Sequence, residues 1–316
     1  MTGTVLVTGA SGFVGRNLVS GLAAAGWTVR AAARQLMAVP SGAHISGIAI
    51  GDLSAPFEWR PLLSGVSHIV HLAGIAHASR RIPEETYLRI HAATVRSLAE
   101  AAHKARIRRL LLVSSVRAQS GASSPTILDE TAPPRPTDAY GRTKLLGEQW
   151  LGEALAGSAT EWAVLRPVLL YGPGVKGNMR TLARLARSAV PLPFGSLPGR
   201  RSLLGLPNFA SAVLHGLESP LTSRSTFLVA DPGPVTPPEI ITALRHGLGR
   251  SAGVFSPPLA PLRGVARLAG LSAAWERVAG DLIVDTGALE QTGWRPVETA
   301  TEGLARWMRE GLNYRL

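Results

Sequence analysis

Short apolar runs and longer apolar stripes alternate through the first half of the chain. Thr4–Thr8 is a run rich in β-branched residues, the pattern of a strand covered on both faces. Behind it Val14, Leu18, Leu22 and Ala25 recur about once per turn and predict a helix that ends at Gly26-Trp27. The alternation repeats with strands predicted at Thr28–Ala33, His44–Ile50, Val66–Ala73, Arg108–Ser115 and Glu161–Arg166. Long helices are predicted over Pro83–Ala105 and from Tyr140 to residue 156. This order predicts an α/β fold, a doubly wound parallel sheet of the Rossmann type. Pro167 is expected to stop the sixth strand's ladder. Beyond it come a helix starting near Met179, a strand at Thr226–Ala230, helices over Pro237–Leu248 and up to Met308, and a Leu/Ala/Arg-rich stretch at Pro257–Gly280 that reads as helical.

Composition narrows the class. With 316 residues, 46% hydrophobic and 17% charged, the chain is expected to be compact, with a large core and room for a second lobe. It contains no cysteine, which excludes a disulfide framework, thiolate metal ligands and a cysteine nucleophile. No basic region precedes the first apolar run and no run approaches the ~18–20 residues a membrane span requires, so a cytoplasmic protein with no membrane insertion is expected. The net charge of +12 comes almost wholly from scattered arginines. Their densest knot, Arg106-Ile-Arg-Arg109, falls at a predicted helix C-terminus, where cations answer the dipole, so no nucleic-acid partner is expected. His68 and His71 stand an odd number apart on a strand and face opposite sides, so no metal site is expected.

Candidate chemistry begins in the loop after the first strand. Thr8-Gly9-Ala10-Ser11-Gly12-Phe13-Val14-Gly15 has three glycines spaced to permit a tight turn, a close backbone approach to a pyrophosphate and close helix–strand packing. It aims a helix N-terminus at a diphosphate, so these residues are dinucleotide-binding candidates. At the tip of the second strand Arg34 stands where a carboxylate would hold a ribose 2′-hydroxyl, with Arg30 earlier on the strand and no carboxylate expected within reach. NADP is therefore favoured, with NAD left open. Asp52 and Leu53, then Leu72, Ala73 and Gly74, and finally Pro167 are the remaining cofactor-side candidates.

Further along, the strand ending in Ser114-Ser115 leads into a Pro/Ser/Thr-rich loop, Val116–Ala139, long enough to cover a site. The loop delivers Tyr140 and Lys144 onto a helix, one turn apart on one face. A fixed ammonium beside a phenol lowers its pKa from the usual ~10 and makes it a usable acid or base. Ser115, 25 residues earlier at a strand end, is suited to hold a substrate oxygen.

With Leu165-Arg-Pro-Val-Leu-Leu-Tyr-Gly-Pro173 added, these motifs resemble the extended short-chain dehydrogenases/reductases of the NAD-dependent epimerase/dehydratase family over nearly the whole chain. The resemblance implies Tyr140 as acid/base, Lys144 on the nicotinamide ribose and Ser115 on the reacting oxygen. It implies residues 1–166 as dinucleotide-binding domain and 167–316 as a nucleotide-sugar lobe, some of whose segments return to the sheet, with Arg117, Asn178 and Arg201 as substrate contacts. It further implies a UDP-sugar substrate and a homodimer through the helices at 83–105 and 140–156. Val116-Arg117 replaces the acidic pair that family dehydratases carry after the strand-end hydroxyl, which excludes dehydration. A 4-keto-sugar reductase is the favoured activity, with a 4-epimerase as alternative and a non-catalytic NADP sensor behind both. His91 stands where the family usually has asparagine, either as a core substitution or as a change in a proton path.

Overall fold

The apolar runs form strands because each can be buried on both faces. A computed structural model describes residues 3–36, 39–75, 82–260, 264, 275 and 279–311. Its strands are β1 (Thr4–Thr8), β2 (Thr28–Ala33), β3 (Ile45–Ala49), β4 (His68–His71), β5 (Arg109–Val113), β6 (Glu161–Pro167), β7 (Leu169–Tyr171), β8 (Leu203–Gly205) and β9 (Ser225–Val229). Its helices are α1 (Phe13–Ala24), α2 (Arg60–Leu63), α3 (Glu84–Leu88), α4 (Thr94–Lys104), α5 (Ala139–Ala154), α6 (Gly177–Arg187), α7 (Leu206–Glu218), α8 (Pro237–Gly247), α9 (Gly287–Gln291) and α10 (Ala300–Glu310). Among the described residues seven strands make one parallel sheet in the order β3-β2-β1-β4-β5-β6-β9. The order reverses between β1 and β4, the switch point at which such sheets bind ligands beyond the carboxyl ends of their strands.

Two layers cover the sheet. Leu18 and Leu22 of α1 and Phe209, Val213 and Leu217 of α7 pack on one face. Trp59, Val95 and Leu98 join Leu151 and Leu155 on the other. A second lobe gathers α6, α8 and α10 around Tyr171, Met179, Leu244 and Trp307, beside the two-stranded β7–β8 sheet. The chain returns to the first sheet through β9. Among the described residues no helix is long and apolar enough to cross a membrane.

Two expectations need correcting. The predicted helix Pro83–Ala105 is broken by a π-turn, Arg89–Ala93, between α3 and α4. Both the backbone N–H and the hydroxyl of Thr94 go to the Arg89 carbonyl, which closes the wide turn. Pro167 does not stop the ladder: it is the last residue of β6, opposite Val229, and the next N–H, of Val168, donates to Val229 at 3.2 Å. The pairing with β9 survives because alternate residues of a parallel strand bond to opposite neighbours, and Val168 rather than Pro167 faces β9. The covering segment Val116–Ala139 is tied down by backbone hydrogen bonds. It opens with a 3₁₀ turn, Val116–Ala118, and Ser124 and Leu128 donate to the carbonyls of Asp281 and Ile283. Most of the stretch expected to be helical at Pro257–Gly280 lies outside the described residues.

Helix α5 crosses the π-turn without a side chain between them, since a Cβ on Gly147 would stand 2.1 Å from the His91 carbonyl oxygen. Gly147→Ala gains at most about 1 kcal/mol of helix propensity but forces an overpacking strain of about 1–3 kcal/mol. Denaturant unfolding is expected to show a less stable variant; an unchanged or higher midpoint would refute the contact.

Candidate active site

At the carboxyl end of β1 the loop turns on Gly9, whose φ of 72° is in the left-handed region and whose Cβ position is 2.9 Å from the Ala73 nitrogen. Gly12 caps α1 with no side-chain bond, and no acidic residue stands in the first turn. The N-terminal backbone donors of a 12-residue helix therefore open toward the switch point. A Cβ on Gly15 would lie 2.2 Å from the Gly9 carbonyl, so only glycine lets the helix approach its own loop. The cradle fits the pyrophosphate of a dinucleotide. Within it Ser11, Phe13 and Val14 are half-buried, whereas Thr8 is fully buried and uses its hydroxyl internally, accepting from the Ala73 N–H at 3.3 Å and bonding His71 Nδ1 at 2.9 Å.

The adenosine-side candidates divide. Arg34 is exposed just past β2, but Arg30 is spent on the carbonyls of Leu62 and Ser64 at 2.6 and 2.8 Å. The expectation that no carboxylate stands near Arg34 is corrected. The carboxyl of Asp52 is held below its usual value mainly by hydrogen bonds from Ser54, and Arg34 contributes to the same lowering. Leu53 buries its side chain in the core and offers its carbonyl to Thr94. Leu72 and Ala73 are half-buried, and Pro167 sits buried at the end of β6. Gly74 reaches the catalytic side: a Cβ there would meet His91 Nε2 at 3.3 Å and Lys144 Nζ at 3.4 Å.

Tyr140, Lys144 and Ser115 converge at the ends of β5 and α5. Asp138 caps α5 by accepting the Gly141 N–H at 2.8 Å, a signal legible in Thr-Asp-Ala just before the tyrosine. A Cβ on Gly141 would be 2.2 Å from the Arg117 carbonyl, so the first turn of α5 sits directly on the 3₁₀ turn that follows Ser115. The Ser115 hydroxyl faces the Tyr140 phenol and favours its ionised form. Burial pushes that phenol up to about 12, and Ser115 and Arg117 draw it down while Asp138 raises it. Lys144 is buried, and its Nζ donates to the Val113 carbonyl at 3.1 Å. Its pKa falls to about 8 through burial, against the charge of Glu148. The spacing argument thus needs revision: the two groups share a helix face, but the ammonium is held on the Val113 carbonyl at the end of β5, and burial is the largest influence on the phenol.

The substrate-side candidates are less gathered. Arg117 is half-buried and committed to an ion pair with Asp138 at 2.6 Å. Asn178 is exposed in the first turn of α6, and Arg201 lies beside Val235 and Leu282 with Nη2 donating to the Gly280 carbonyl at 3.3 Å. Sequence reasoning missed the group behind the site. Glu148 accepts from Arg166 Nε at 3.1 Å and from Nη2 at 2.5 Å, and also from Ser114, while Gln119 accepts from Arg166 Nη1 at 3.0 Å. Its only signal was a glutamate one turn beyond Lys144. No cluster of metal-ligating side chains is found among the described residues.

The switch-point cradle and the Ser–Tyr–Lys cluster define an extended short-chain dehydrogenase/reductase. Residues 5–230 match the NAD dependent epimerase/dehydratase family, and the chain belongs to it. A UDP-glucose 4-epimerase of Vibrio cholerae is 29% identical over 310 residues, covering 96% of this chain and 94% of that protein. A ceramide reductase of Caulobacter vibrioides is 29% identical over 220 residues, 69% of this chain and 62% of that one. Among solved structures, MoeE5 in complex with UDP-glucose and NAD shares the fold at a TM-score of 0.74 and 24% identity, covering 98% of this chain and 100% of that one. A UDP-glucuronic acid 4-epimerase from Bacillus cereus in complex with NAD does so at 0.76 and 17% identity, covering 99% and 98%.

The buried ammonium has a consequence for stability. Lys144 titrates at about 8 when folded and near 10.5 when unfolded, so the folded state carries the burial penalty below pH 8 and sheds it as pH rises to 10.5. Lys144→Met is expected to raise Tm by on the order of 2–4 °C at pH 7, with a gain that shrinks toward pH 10. A gain that is absent at pH 7, or grows with pH, would contradict the assignment.

Proposed function

We propose that the protein moves hydride at C4 of a UDP-hexose and works as a reductase of a nucleotide-linked 4-keto sugar. The observation that carries this reading is the assembled cluster: the Tyr140 phenol and the Ser115 hydroxyl face one another at the carboxyl end of β5, and burial favours the phenol's neutral form. A neutral phenol beside a strand-end hydroxyl is arranged to hold a carbonyl oxygen and donate to it as that oxygen gains charge. The nicotinamide dinucleotide, bound through the glycine cradle and Lys144, supplies the hydride chemistry. Ser115 orients the oxygen, and Tyr140 gives it a proton. Lys144 keeps a positive charge near the site. Dehydration finds no acid/base pair here, because Val116 is buried and Arg117 is paired with Asp138, whose carboxylate also caps α5.

Residues 167–316 supply the sugar-nucleotide lobe in this reading, with Asn178 and Arg201 as its candidate contacts, and two copies associate through α4 and α5, where Arg96 lies 5.6 Å over the half-exposed Trp150 ring. The second reading is a 4-epimerase, favoured by the Vibrio cholerae relative, which spans almost the whole chain. A non-catalytic sensor is disfavoured because Ser115, Tyr140 and Lys144 are all present and assembled.

Two assays decide between these. Enzyme with UDP-4-keto-6-deoxy-N-acetylhexosamine and NADPH is expected to lose nicotinamide absorbance, and Tyr140→Phe to lose turnover by about 10²–10⁴-fold while still binding cofactor. Enzyme with UDP-glucose or UDP-N-acetylglucosamine and no added cofactor is expected to give no 4-epimer. An epimer in the second assay with no NADPH loss in the first would establish the epimerase instead.

The cofactor reading favours NADP, resting on Arg34, while the neighbouring Asp52 and the family's NAD dependence favour NAD. Arg34→Ala is expected to weaken NADP binding by about tenfold, one charge-assisted pair at ~1.5 kcal/mol, with little effect on NAD. Calorimetry with equal NADP affinities for wild type and variant would remove the preference.

A further inference from the structure

The π-turn holds a buried titratable group that the proposed chemistry does not use. His91 is 2% exposed. Its Nε2 accepts the Ile75 N–H at 3.0 Å, and because an amide N–H can only donate, the ring proton is on Nδ1. Nδ1 stands 3.2 Å from Thr143 Oγ1. That hydroxyl donates to the carbonyls of Ala139 and Tyr140 at 2.8 and 3.1 Å, so it accepts from the imidazole. Both ring nitrogens are therefore committed. One bond reaches the loop that follows Gly74, and the other reaches the first turn of α5.

The ring itself meets the phenol. His91 and Tyr140 are 5.2 Å apart between centroids at 88°, and Tyr87 of α3 closes the group at 5.3 Å from His91 and 6.2 Å from Tyr140. Five groups then face the Tyr140 ring or its hydroxyl: Ser115 at the end of β5, Arg117 in the 3₁₀ turn, Asp138 before α5, Tyr87 of α3 and His91 of the π-turn, while Lys144, one turn on, is held on the Val113 carbonyl. Protonation of His91 would put a second hydrogen against the Ile75 N–H. Burial first, then the charges of Lys144 and His71, keep the ring neutral, with its pKa down at about 2. It takes up no second proton across the working range and acts only through where it sits.

We propose that His91 is a positioning residue for Tyr140: held as a neutral, fixed tautomer between Ile75 and Thr143, it sets the phenol edge-on and keeps water from the inner side of its ring. The proposal rests on Tyr140 as the proton-donating group, but its test needs no turnover and so fails or succeeds independently of the substrate. Three substitutions separate its parts. His91→Phe keeps a ring and loses both hydrogen bonds. His91→Gln keeps an acceptor near Nε2, and His91→Asn keeps a donor near Nδ1 but opens space against the phenol.

The readout is carbon-13 NMR of ring-labelled tyrosine between pH 8 and 10.5, with the Tyr140 signal assigned by its loss in Tyr140→Phe. In the wild type and in His91→Phe the signal is expected to stay at its neutral position throughout. In His91→Asn the midpoint is expected to fall by about one unit or more toward the ordinary ~10, with His91→Gln between. Melting temperatures of all four proteins report any general loss of packing. A signal in His91→Asn that stays neutral despite a lower Tm would make His91 merely structural and overturn the proposal. So would a fall in His91→Phe as large as that in His91→Asn.

Discussion

Everything at the catalytic end of the sheet depends on a helix lying with bare backbone against two carbonyls. Gly141 of α5 rests on the Arg117 carbonyl and Gly147 on that of His91, at separations that leave no room for a Cβ. The contacts stand six residues apart and fix both the depth and the tilt of the helix. Tyr140 is adjacent to the first of them and Lys144 lies between them. The carbonyl under Gly141 belongs to the turn that follows Ser115, so the distance between serine and tyrosine is set by backbone packing rather than by either side chain. A rigid element placed in this way is what proton transfer demands, since catalytic groups must be held within a few tenths of an ångström of their working geometry.

A buried ion pair fastens the same helix from behind. Glu148 and Arg166 are 7% and 6% exposed, and taking two charges out of water there is expensive. An apolar pair of similar volume would be comparably stable. What the ionic version adds is direction. Arg166 grips both carboxylate oxygens and also Gln119, whose amide donates to the carbonyls of Asp129 and Ala132 in the covering segment. Helix α5, strand β6 and that segment are joined through one guanidinium. Glu148 is also one turn from Lys144, and its charge keeps the buried ammonium from falling further below its usual pKa.

The sheet and its order of elements were legible because buried parallel strands leave a trace of short apolar runs between helical stripes, β-branched in Thr4–Thr8 and leucine-rich in Arg109–Val113. The glycine loop and Ser115, Tyr140 and Lys144 were legible because their spacing is dictated by the strand ends on which they sit. The π-turn was not: one extra residue in a helix shifts the apolar stripe by less than the pattern can resolve, and Thr94 and Val95 remain on a buried face either way. The partners of Arg117, Arg30 and Thr8 were illegible for a different reason. Each is a long-range bond to Asp138, to the Leu62 carbonyl or to His71, and no local pattern records which polar groups the fold will bring together. The raised pKa of the Tyr140 phenol was illegible as well, because its largest cause is burial, which sequence spacing does not reveal.

Burial moves the two members of the Tyr–Lys pair in opposite directions, the phenol up and the ammonium down, and so drives both toward their neutral forms. They do not meet. At neutral pH the lysine, at about 8, is still mostly charged, while the tyrosine, at about 12, is fully protonated. In the reading proposed above, the resting cluster is an acid, with Tyr140 to donate to an oxygen that Ser115 would hold. An enzyme that begins by oxidising an alcohol needs the opposite starting point, a tyrosine prepared to take a proton, and only later gives one back. Epimerisation at a carbinol carbon requires both halves in sequence. Reduction of a ketone requires only the second, the half that the proposed reductase would use.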